Sequence, residues 1–136
     1  MKFFLIITNG RSGSDFLHSL LDGHEEVASF PGFINLTKLQ FEFNKFKSES
    51  DLIDKFIADY AIFFNSKLNK MENHHKLGKK KNQFYHVDKI KFKQYYFSVN
   101  KNNYKCSFKN FLINLHLSYL KASQKKNLII KKLKLY

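Results

Sequence analysis

The spacing of apolar positions changes period several times along the chain, and each change marks a predicted element. Residues 3–8 form a short apolar run closed by Asn9-Gly10, the pattern of a buried strand in a parallel sheet. Residues 9–14, Asn-Gly-Arg-Ser-Gly-Ser, read as a loop with two glycines. From Ser14 the period becomes helical: Phe16, Leu17, Leu20 and Leu21 share one face, Ser14 or Asp15 can cap it, and Gly23 can stop it. Val27 to Phe30 then reads as a second strand ended by the turn signal Pro31-Gly32. Strand, tight loop, helix and strand make a βαβ unit, which predicts an α/β fold with a parallel sheet.

Further along, a helix is expected from about Ser50 to Leu68. Ser50 can cap it, Asp51 and Asp54 suit its first turn, and Leu52, Ile53, Phe56, Ile57, Tyr60, Ala61, Phe63 and Phe64 give it a broad apolar face. Residues 69–83 are nearly devoid of apolar side chains and predict a Lys-rich surface loop. Between 84 and 104, Ile90, Phe92, Tyr95, Tyr96, Phe97 and Val99 fit neither period cleanly; a short helix near 88–97 is the reading adopted. Ser107 can cap a third helix through Phe108, Phe111, Leu112, Leu115, Tyr119 and Leu120, and residues 127–136 read as another strand.

Composition narrows the class. A chain of 136 residues with 43% apolar and 17% aromatic side chains suits one domain, 1–136, with a real core. The single Cys106 excludes an internal disulfide framework, and no apolar run is long enough to span a membrane. The N-terminal apolar run is too short for a secretory leader, so a cytoplasmic protein is expected. The net charge of +13 is unevenly spread: residues 1–66 carry six basic and nine acidic side chains, residues 67–136 carry eighteen Lys and two acids. That half could serve nucleic acid or an acidic partner. Yet 23 of the 24 basic residues are Lys, whereas base readout and phosphate forks favour Arg, so a solvated Lys surface is the preferred reading.

The chemistry concentrates in Gly10-Arg11-Ser12-Gly13-Ser14. A helix N-terminus offers unpartnered N–H groups and partial positive charge, and glycine lets the backbone come close to an anion. Arg11 adds a planar cation, and Ser12 and Ser14 add hydroxyl donors. The loop reads as a binding site for phosphate, sulfate or a nucleotide tail, and it lacks the Walker A spacing. The histidines carry less. His24 reads as a turn residue, His18 as exposed, His116 as a packing residue, and His74-His75 lack the carboxylate or Cys company of a metal site. Aromatic residues of 84–104, interleaved with Lys, could stack on single-stranded bases, but packing is the preferred reading.

The run from Phe4 to Val27, with its strand, Arg11-Ser12-Gly13-Ser14, Phe16-Leu17 and Leu20-Leu21-Asp22-Gly23-His24, resembles the N-terminal signature of sulfotransferases that use 3'-phosphoadenosine 5'-phosphosulfate (PAPS). The segment from Ser107 to His116, followed by 127–135, is a looser echo of that family's central part. The resemblance implies a P-loop-like parallel sheet with flanking helices, and transfer of a sulfuryl group to a hydroxyl or amine, including a carbohydrate-type acceptor. It implies that Arg11 offsets charge on the bridging oxygen, and that Arg11, Ser12, Gly13, Ser14, Asp15 and Phe16 hold the cofactor, with no metal. Asp15 stands where the family commonly has Ser or Thr, and Glu25 where it has Pro. Family members run to about twice this length and bind the 3'-phosphate through a later Arg and Ser, so the resemblance implies a truncated member. A sheet cut short in this way would leave an edge that a second copy could cover.

Overall fold

The computed structural model describes residues 13, 16, 17, 20, 30–65, 86–99 and 107–123, and 76% of them are helical. Five helices follow one another: α1 (Leu36–Lys45), α2 (Glu49–Asp59), α3 (Ala61–Phe64), α4 (Lys89–Val99) and α5 (Phe108–Ala122). Each of the four longer helices starts where a side-chain oxygen meets an orphan backbone N–H. Asn35 accepts from Lys38 N–H at 2.9 Å, Ser48 from Asp51 at 3.3 Å, and Ser107 from Asn110 at 3.2 Å. Asp88 accepts from both Ile90 and Lys91, at 2.8 and 3.1 Å.

These helices bury their apolar faces on one another. Phe43 of α1 packs on Phe111 of α5 at 5.1 Å between ring centroids. Phe56 of α2 meets Phe92 of α4 at 6.2 Å, and Phe64 of α3 lies between Phe92 at 5.1 Å and Tyr119 at 5.8 Å. Phe30 is buried at the centre, 5.3 Å from Phe63 and 4.6 Å from Tyr119. Such ring pairs contribute about 0.5–1.5 kcal/mol each beyond the burial of their area.

The expected α/β fold is therefore overturned. No sheet occurs among the described residues, whose single β contact is an isolated antiparallel bridge between Asn65 and His86. The parallel, P-loop-like architecture of sulfotransferase type falls with it, as does a homo-oligomer built on a sheet edge. The physical reason is visible at Phe30. Its apolar character, read as the end of a strand over Val27–Phe30, instead fills a gap among helix-borne rings, and Pro31 follows it in a bend. The expected strands over 3–8 and 127–136, the stretch Val27–Ser29 and the Lys-rich loop over 69–83 lie outside the described residues.

One helical expectation needs a smaller correction, and one helix was not expected. The helix expected over 50–68 starts one residue earlier, capped by Ser48 rather than Ser50, and breaks at Tyr60 (φ −112°, ψ 37°). The break places the Tyr60 ring 5.0 Å from Phe56 and 5.2 Å from Phe63, and its hydroxyl accepts from Asn35 N–H at 3.1 Å. It also lets the adjacent Phe63 and Phe64 both reach the core. Helix α1, from the stretch before Ser50 to which the pattern gave no element, hides Leu39 and Glu42 and leaves Phe41 in solvent. Helix α5 falls where the spacing predicts it, and α4 covers the short helix adopted near 88–97, ending two residues later.

Candidate functional site

The predicted anion loop is described at two of its positions, Gly13 and Phe16, and at Leu17 and Leu20 in the turn beyond. Gly13 has φ +74°, a left-handed conformation that glycine adopts without the Cβ penalty of other residues. Its carbonyl accepts from Leu17 N–H at 3.0 Å, and Phe16 and Leu17 are helical, so a helical turn opens directly from this glycine. Among the described residues nothing lies within 4 Å of the place a Cβ would occupy. These features fit an anion approaching a helix start. Phe16 is 68% exposed. Arg11, Ser12, Ser14 and Asp15 lie outside the described residues, as do His18, His24, His74, His75 and Cys106.

The helical body holds a second concentration of charge, which the sequence reading did not assemble. Lys38 of α1 reaches Asp59 at the end of α2 at 2.8 Å, with Lys55 on the other carboxylate oxygen and Glu42 at 4.0 Å from Lys38. Hydrogen bonds from Lys38 and Lys55 hold the Asp59 carboxyl below its ordinary value, and the bond to Asp59 holds Lys38 above its own. Both groups are thus locked in their charged forms at neutral pH. A proton-transfer catalyst needs the opposite, so the cluster serves as a tie between α1 and α2. Lys93 with Asp54, and Tyr96 donating to Glu49 at 2.6 Å, join α4 to α2 in the same way.

His116 is turned inward. Its Nδ1 lies 2.8 Å from the Leu112 carbonyl, and its ring meets Phe30 edge-on at 4.4 Å. Burial holds it below the ordinary imidazole value, which keeps it neutral and packed rather than poised for chemistry. Among the described residues no group of three His, Cys, Asp or Glu side chains could hold a metal ion, and no helix is long and apolar enough to cross a membrane.

The basic half of the chain supplies α4 and α5 and part of the core. Of the eighteen Lys in 67–136, five belong to described residues: Lys89, Lys91, Lys93, Lys109 and Lys121. Lys93 is paired with Asp54, and Lys121 sits over the Tyr95 ring at 5.8 Å. What the sequence reading missed on the surface is the outer side of α4. Ile90 is 69% exposed and Phe97 is 37% exposed, although the preferred reading placed the aromatic and apolar residues of this segment in packing. The signal was present in the failure of 84–104 to fit one period, since a helix apolar on both sides has no single apolar face.

No family model matches the chain, and no curated protein or solved structure shows significant similarity to it.

Proposed function

We propose that the loop from Gly10 to Phe16 binds the phosphosulfate end of PAPS and that the site serves sulfuryl transfer to a hydroxyl or amine acceptor. The observation that supports this reading is the turn at Gly13, where a left-handed glycine opens into a helical turn and no described residue lies within 4 Å of its Cβ position. Arg11 and the hydroxyls of Ser12 and Ser14 are the groups to hold the anion, with backbone amides of Gly13, Ser14, Asp15 and Phe16 completing the cradle. PAPS carries the reactive sulfuryl group, and the protein's part is placement and charge. The support is local to this loop and owes nothing to the helices α1 to α5.

Calorimetric titration with 3'-phosphoadenosine 5'-phosphate, the desulfated cofactor, tests the reading on the wild type and on Arg11→Ala. Saturable binding that disappears in the variant is the expected result. A folded wild type that takes up no nucleotide, or a variant that binds as well as wild type, overturns it. Titration with a single-stranded oligonucleotide over a series of salt concentrations separates the Lys-rich alternative, which predicts steep salt dependence and indifference to Arg11.

A further inference from the structure

Helix α4 is apolar on two opposite sides: one is fully buried, while the other leaves Ile90 in solvent and Phe97 partly exposed beside the Tyr96 ring. Phe92 and Tyr96 are completely buried, against Phe56, Phe64 and Phe111. Ile90 lies about 200° around the axis from Phe92, and Phe97, seven residues on, returns to the same side as Ile90. Ile90, at 69%, is the most exposed large apolar side chain among the described residues. Lys89 and Lys91 border this side, as does Lys93, which is paired with Asp54 of α2, and α4 itself contains no acidic residue.

An apolar ridge bordered by Lys side chains suits the boundary between water and an anionic bilayer. The ridge enters the acyl region while the Lys stems lie along it and their ammonium groups meet lipid phosphates and carboxylates. We propose that the Ile90–Phe97 side of α4 docks on an anionic lipid surface. Ile90 decides for lipid over single-stranded nucleic acid, because an aliphatic side chain offers no π face on which a base can stack. The bordering cations are Lys rather than the Arg that reads base edges. None of residues 10–16 enters this inference, so it stands apart from the cofactor reading.

The chain contains no Trp, so Phe97→Trp supplies a sole indole reporter at the ridge. With vesicles of phosphatidylcholine and phosphatidylserine, its emission is expected to move to shorter wavelength. Neutral phosphatidylcholine vesicles should leave it unchanged, and added Ile90→Asp should abolish the shift. In the otherwise wild-type chain, Ile90→Asp with Phe97→Asp should lower co-sedimentation with anionic vesicles several-fold while far-UV circular dichroism is retained, since both positions are exposed. Unchanged emission with the protein bound to vesicles would assign binding to the Lys-rich segments and overturn the proposal. Absence of vesicle binding, or an indole response to a single-stranded oligonucleotide but not to vesicles, overturns it as well.

Discussion

Helix α3 is four residues long and cannot satisfy its own carbonyls, and the structure supplies an outside donor for one of them. The Tyr119 hydroxyl donates to the Phe63 carbonyl at 2.5 Å across 56 residues of sequence, in a buried setting. Its neighbour, the Phe64 carbonyl, is taken by Val87 N–H at 2.8 Å. Tyr119→Phe removes the hydroxyl and keeps the ring, whose contacts with Phe30 and Phe64 persist. The cavity left is the volume of one oxygen, so the loss is dominated by a buried carbonyl deprived of its donor. That loss is about 1–3 kcal/mol, above the roughly 1 kcal/mol net value of an ordinary hydrogen bond. Urea unfolding followed by circular dichroism should show a lower midpoint at unchanged slope. The control is Ser118→Ala: Ser118 is fully buried and its hydroxyl has no partner among the described residues, so its removal should be neutral or stabilising. If Tyr119→Phe stays within about 0.5 kcal/mol of wild type, the donor is dispensable and the account of α3 fails.

Acid should weaken the fold in two stages. The folded-state value of His116 lies below the ordinary 6.5, so the unfolded chain takes up the proton first and stability falls as pH drops from about 6.5 towards the folded value. His116→Leu should flatten that part of a stability–pH curve measured by urea midpoints. The folded-state value of Asp59 lies below 3.8, so its contribution is present above the unfolded value and is lost as pH falls through the folded one. Asp59→Asn should remove that lower step and show a smaller salt dependence than wild type. Replacing the cap residues by Ser48→Ala or Ser107→Ala should each cost about 1 kcal/mol in thermal or urea unfolding, whereas Ser50→Ala should cost far less.

The sequence determined the helices whose apolar positions recur at one period and whose caps are local. The spacing of Phe111, Leu112, Leu115 and Tyr119 after Ser107 identifies α5, because that signal depends on neighbours three or four positions away; the helix adopted near 88–97, whose apolar residues fit no single period, matches α4 within two residues at either end. The same reasoning found the loop Arg11-Ser12-Gly13-Ser14 as candidate chemistry, since a glycine between polar donors ahead of an apolar helical face is a local pattern too. The tertiary structure decided what local pattern leaves open. Short apolar runs are compatible with a strand or with a helix-packing core, and only the ring cage of Phe56, Phe63, His116 and Tyr119 shows which one Phe30 serves. The break at Tyr60 was equally hidden, because the contact that accompanies it is a hydroxyl meeting a backbone N–H 25 residues away. Charge behaved likewise: Lys38 and Asp59 lie 21 positions apart, and only the packing of α1 on α2 brings them to 2.8 Å. Interactions within a helical turn are written in the sequence as spacing, whereas those closed by long loops depend on which faces the whole chain buries together.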